Sequence, residues 1–407
     1  MLKFGNTILL RNTNWLANTP GAPLPPEPPD YNPLNLPPFT ARLLFMDGSV
    51  PEPDSRRYPI NPPVYTQVSV SPNIWDVYYP KTDWELLLNA LNGQTKICDN
   101  QCEDLLEILG ANTEGVLVMA RLTIDCHNLR KTAIFDTRDV IDAHNMFCNC
   151  YALDNVPNFD FTEARTVRAL FDDCTSLKNL PDTLLIPKDG DVRDLFHGCT
   201  SLTKAPFMDF SNRTGDPNMY YGGYLSFMFT NCTSLVEVPY YDFTHIHDVH
   251  GMFAGCTSLE TVPLFDMSNI TNTDGMFQHC TSFKEVPFFN LSRVIDGRYM
   301  FHDCSSIKEI PAFNLSNATI TWGMFQECVQ LDYIPNITVT RVRNCDEMFS
   351  SCLKVRYGSL DMYNRFMGQT TNPNRHDYTF RNCGRDTVTG AAELKKIPRT
   401  WKTEIDY

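Results

Sequence analysis

Fifteen cysteines among 407 residues are the first candidates for chemistry, because a thiolate can attack a substrate, hold a metal or close a disulfide. Their spacing is what separates these roles. Ten of them form a ladder: Cys126, Cys150, Cys174, Cys199, Cys232, Cys256, Cys280, Cys304, Cys328 and Cys352. Every step is 24 residues except the 25 to Cys199 and the 33 to Cys232. If the chain between them is copied and stacked, equivalent side chains point the same way about 4.8 Å apart, whereas a disulfide wants converging Cβ atoms at roughly 3.5–4.5 Å. A reduced thiol, small and apolar enough to fill a narrow interior, is the expected state. Cys98, Cys148 and Cys345 lie off the ladder, and a bridge from Cys148 to a rung cysteine stays open.

Two further sets could bind cations. His245, His247 and His250 spell His-x-His-x-x-His, a spacing that suits a transition metal. The same columns elsewhere hold Asn269, Thr271 and Asp274, then Arg293, Ile295 and Arg298, so no ligand set recurs and a solvated edge is preferred. Asp160, Asp209, Asp242, Asp266, Asn290 and Asn314 all stand ten after a rung cysteine, with Ser or Thr two further on. Asn at two of these positions favours side chains that bond turn amides over a calcium ladder. No Gly-x-Ser-x-Gly, His-Glu-x-x-His or phosphate-loop pattern occurs, so neither an enzyme, a metal site nor a cofactor is expected.

The elements that position these residues come from the repeat. Phe stands three before the cysteine from Phe147 to Phe349, an apolar residue three after, and Pro seven after from Pro157 to Pro335. A 24-residue period means one short unit that buries its apolar side against its own copies, hence a solenoid. Cys102, 24 before Cys126, and Phe380-Arg381-Asn382-Cys383, after a seven-residue slip, read as capping coils. Eight after the cysteine stand Phe207, Tyr240, Leu264 and Phe288, beside a column with Phe265, Phe289 and Phe313. With the latter in the core, the former is an exposed apolar stripe and a binding candidate, for a second copy or a foreign ligand. The nine extra residues before Cys232 place Tyr220, Tyr221 and Tyr224 among glycines, a second contact candidate.

The unit Met252-Phe253-Ala254-Gly255-Cys256-Thr257-Ser258-Leu259-Glu260-Thr261-Val262-Pro263-Leu264-Phe265-Asp266 resembles that of BspA-like leucine-rich-repeat surface proteins, over about 146–357. Two coils depart from it, at Leu184-Leu185-Ile186-Pro187 and Asn336-Ile337-Thr338, where a bulge or a change of curvature is expected. Lys3-Phe4-Gly5-Asn6-Thr7-Ile8, Asn12-Thr13-Asn14-Trp15-Leu16, Ser71-Pro72-Asn73-Ile74-Trp75-Asp76 and Val388-Thr389-Gly390-Ala391-Ala392-Glu393-Leu394 are similar to segments of virion proteins of Bacteroides phages, the crAss-like phages among them. The resemblance implies a structural or host-contact part of a phage particle.

The fold expected is therefore a repeat solenoid of leucine-rich-repeat type, with stacked parallel short strands and short helical turns, behind a small β-rich α+β module and an extended N-terminal anchor. Residues 1–18 read as an anchor hairpin. Nine prolines between Pro20 and Pro38 make 19–38 a tether. Residues 39–125 read as a mixed capping module, with strands at 40–45 and 65–70 and helices at 83–88 and 103–109. The solenoid follows at 126–357 and a C-terminal cap at 358–407. A net charge of −14 argues against nucleic acid, and no apolar run is long enough to cross a membrane. Met1 to Asn6 carries no apolar stretch of a Sec signal. The expectation is a non-enzymatic virion surface protein, contacting other virion proteins through its N-terminal segment and a bacterial surface glycan or protein through its rod, and self-associating. The alternative is a BspA-like adhesin on a bacterial cell surface.

Overall fold

The computed structural model describes residues 34–36, 40–45, 64–67, 74–78, 104–113, 115–211, 213, 224–370 and 372–402. The anchor hairpin, most of the tether, the helix expected at 83–88, Cys98, Cys102, Tyr220 and Tyr221 lie outside them.

The 24-residue period is a hydrogen-bond register. Approaching Cys256, the amides of Val249, Gly251, Phe253 and Gly255 donate to the carbonyls of Asn272, Asp274, Met276 and Gln278 in the following winding, at 2.7–3.1 Å. The intervening amides of Met252, Ala254 and Cys256 donate three residues back within their own winding, to Val249, Gly251 and Phe253. Alternate N–H groups thus serve the neighbour and the local turn, and the segment's backbone donors are satisfied. The geometry needs a left-handed residue five before and one before each cysteine. Both positions have φ near +50 to +75 in all eleven windings from Cys126 to Cys383, and only five of them are glycine: Gly198, Gly251, Gly255, Gly275 and Gly323. A positive φ at the third turn position is the type II arrangement, so each winding rounds this edge by consecutive β-turns. The short helical turns expected here are not formed: between 104 and 357 no described residue is helical. A helix would return every amide to its own chain and leave the next winding without donors.

Parallel bridges tie the register together, running Tyr224–Asp248–Asn272–Asp296–Ile320–Asn344–Arg375 along one column. Inside, the Phe residues three before the cysteines stack from Phe147 through Phe349 to Phe380, with ring centroids 5.4–5.9 Å apart and planes within 11°. The 33-residue step does not interrupt this stack, since Phe196 and Phe229 lie 5.4 Å apart. The single extra residue before Cys199 falls between Asn179, still bridged to Asn155, and Leu185, bridged to Asp160. At the other departing coil the register holds. Strand β7 (Thr338–Val339) pairs in parallel with β6 (Asn314–Leu315), and Ile337 is fully buried in the column that holds Phe265, Phe289 and Phe313.

Both ends of the array are covered. On the N-terminal side β1 (Thr40–Phe45), β2 (Val64–Gln67), β3 (Ile74–Tyr78), β4 (Leu105–Asn112) and β5 (Lys131–Thr132) form a sheet of order β2-β3-β1-β4-β5. The helix expected at 103–109 is strand β4. Acidic residues before an apolar run imitate a helix start, but Leu105, Ile108 and Ala111 are buried and both edges of the segment are paired, which overrides propensity. β4 pairs antiparallel with β1 and parallel with β5, with Glu107 opposite Lys131, 24 residues on, so the sheet joins the array in the repeat's own register. At the far end the step to Cys383 accommodates α1 (Ser359–Met367), and α2 (Val388–Leu394) follows. Trp401 closes the ring stack, its centroid 6.2 Å from Phe380 and 4.4 Å from His376.

Candidate functional site

Every described cysteine is buried and none of them forms a disulfide. From Cys174 to Cys352 each rung Sγ points at the carbonyl of the Phe three before the preceding cysteine, at 3.1–3.2 Å. Cys150 makes the same bond to Thr123, which holds the place of Phe in the first winding. A thiol acting as a donor is protonated, and burial pushes these groups above the ordinary thiol range, so the ladder is structural rather than nucleophilic. Cys148 is also free, with its Sγ directed at Asp172.

The three histidines of the His-x-His-x-x-His run go to separate partners. His245 is exposed, His247 Nδ1 is 3.2 Å from the Asn269 carbonyl, and His250 packs on Phe227 with Nε2 3.8 Å from Asp274. The carboxylates and amides ten after the cysteine cap turns, as their pattern predicts: Asp160, Asp209, Asp242, Asp266, Asn290 and Asn314 each accept from the backbone N–H two residues on, at 2.9–3.2 Å. A second such column, missed in the sequence, stands eight before the cysteine, where Asp191, Asp248, Asn272, Asp296 and Asn344 do the same.

The stripe eight after the cysteine stands in solvent. Phe207, Tyr240, Leu264 and Phe288 are 42, 51, 60 and 66% exposed, whereas Met208, Tyr241, Phe265 and Phe289 beside them are at most 1% exposed. Single exposed apolar residues need no explanation, but four in consecutive windings form a continuous patch. Its limits are chemical: exposed Thr183, bridged to Phe207, stands before it, and Ala312 and Asn336 follow it in the column. Tyr224 is 40% exposed in a different column, eight before the cysteine, and is not part of the stripe.

Windings held in register by parallel bridges, few helices and one continuous core define a repeat protein. The family model described as "Mycoplasma protein of unknown function, DUF285" matches residues 97–209, 223–334 and 248–363, more than half of the chain, and the chain belongs to that family. The match agrees with the BspA-like character of the repeat unit. No curated protein matches the chain.

Proposed function

We propose that the chain is a non-enzymatic display rod, a leucine-rich-repeat-type solenoid whose exposed stripe binds a partner at a biological surface. The observation that carries this is the unbroken run Phe207, Tyr240, Leu264, Phe288 on a rigid column. Stacked windings fix the spacing of these side chains, so a partner's apolar groups meet a surface already ordered, which lowers the entropy lost on binding. In this reading the protein sits on a phage virion, is held there by its N-terminal segment, and contacts a glycan or protein of the bacterial surface or a neighbouring virion subunit. The family match and the BspA-like unit suit a surface-type repeat protein, and the second reading is an adhesin on a bacterial cell, in which the same stripe does the binding.

The test uses the full chain and a double variant, Leu264→Asp with Phe288→Asp, both at exposed positions that leave the core intact. Host cells should retain the parent protein and not the variant, and the protein should be detected in purified particles. Equal retention of both would overturn the stripe. Absence from intact particles would overturn the virion reading and leave the adhesin.

A further inference from the structure

Two positions before the rung cysteine, three consecutive windings carry Cys148, Asp172 and His197, and Asp173 follows Asp172. The register brings them together. His197 Nδ1 lies 2.7 Å from Asp172 Oδ1, and Cys148 Sγ lies 3.9 Å from Asp172 Oδ2. One donor atom from each of Asp172, Asp173 and His197 falls within 4.8 Å of the other two. The Asp173 carboxylate rests on the backbone of Gly198, where an added Cβ would stand 1.9 Å from its Oδ1 and push the carboxylate aside. The nearby guanidinium of Arg168 is engaged elsewhere, 3.1 Å from Asp194.

The electrostatics agree in sign. Burial and then the charge of Asp172 raise the Asp173 carboxyl, and the same two causes push the Cys148 thiol up to about 11. The hydrogen bond to Asp172 raises His197.

We propose that Cys148, Asp172, Asp173 and His197 form a site for a borderline divalent transition metal ion, zinc foremost. The imidazole nitrogen and two carboxylates that already converge, with the Cys148 thiol 3.9 Å from one of them as the fourth donor, match zinc's four-coordinate preference, whereas calcium takes six to eight oxygens and magnesium an octahedron of them. On binding, the ion displaces the Cys148 thiol proton and the proton shared by His197 and Asp172, both of which leave to solvent. The 2.7 Å pair then opens as both atoms turn their lone pairs to the metal. The ion ties together three windings just ahead of the nine-residue insertion. This inference stands apart from the display role and from the stripe.

The full chain is titrated calorimetrically with zinc and with calcium, and spectroscopically with cobalt as a zinc substitute. One zinc ion per chain, no calcium at this site and a thiolate-to-cobalt absorption are expected. Cys148→Ser should abolish that absorption, and His197→Gln should weaken zinc about tenfold or more. His250→Gln, from the unrelated histidine run, should leave both unchanged. His197 is partly exposed, so its variant decides the matter even if Cys148→Ser does not fold. No stoichiometric zinc binding, or binding indifferent to His197→Gln, overturns the site.

Discussion

The Sγ of Cys280 donates to the carbonyl oxygen of Phe253, 3.1 Å away in the preceding winding, and that same oxygen already accepts the Cys256 amide at 3.1 Å. The rung residue must therefore be small, apolar and a donor at once, which is why cysteine occupies it rather than alanine or valine. Cys280→Ala removes the bond and leaves a small void, and should destabilise by about 1–2 kcal/mol in urea unfolding. The companion expectation is kinetic. With burial holding the thiol protonated, a thiol reagent should label Cys280 only after unfolding, as read by peptide mass; labelling of the native protein at the rate of a free thiol would contradict the buried donor.

Phe277 lies between Phe253 and Phe301, 5.6 Å from each, with planes within 9°. Phe277→Ala should destabilise by about 3–5 kcal/mol through lost burial and a cavity. Phe277→Leu keeps much of the volume but forfeits ring contacts with Phe253, Phe283, Phe289 and Phe301, so it should fall about 2–3 kcal/mol below the parent. Because each winding touches only its neighbours, amide exchange should quicken first around Cys256 and Cys304 and least at the ends of the array. Uniform quickening along the chain would show that the windings do not act as separable units.

Left-handed backbone predicts unequal effects at two equivalent positions. Gly255 has φ +73, and an added Cβ would meet Asn231 Oδ1 at 2.4 Å, so Gly255→Ala should destabilise by about 1–2 kcal/mol. Glu327 occupies the same position three windings on, with φ +63. Glu327→Gly relieves a comparable strain and adds about 0.5–1 kcal/mol of unfolded-chain entropy, so it should be close to neutral. Thermal midpoints of the two variants settle this, and equal losses would contradict it.

The repeat was legible in the sequence because its columns are fixed by one buried environment repeated many times. Cys, Phe and the apolar residue three after the cysteine have no alternative that fits. The turn geometry was not, because only five of the left-handed positions along the turn edge are glycine and the others carry residues such as Tyr299, Glu347 and Asp303. There the inter-winding hydrogen bonds, absent from any local pattern, impose the conformation. β4 was misread for the same reason, since its partners β1 and β5 lie far along the chain or belong to the next winding. The stripe was visible as a column and its exposure follows from its buried neighbours. The Cys148, Asp172, His197 set does not show as a column, because no one residue type holds the position two before the rung cysteine and only the stacked register brings these three together.

His302 gives the array a pH dependence whose sign can be worked out. Its Nδ1 is buried without a hydrogen-bond partner, and its ring meets His279 at 5.1 Å and Tyr299 at 5.5 Å. Burial, then the neighbouring His279 charge, lower its pKa below the ordinary 6.5, against the opposing pull of Glu327 and Asp303. As pH falls below about 6.5 the unfolded chain therefore takes up a proton before the folded one does, so stability is present above that pH and declines beneath it. His302→Phe keeps the ring and removes the proton site. The difference in unfolding free energy between parent and variant, measured at a series of pH values, cancels the titration of the groups they share. It should shift in the variant's favour as pH drops from 7.5 toward 5; a flat difference would mean that the folded protein protonates His302 as readily as the unfolded chain does.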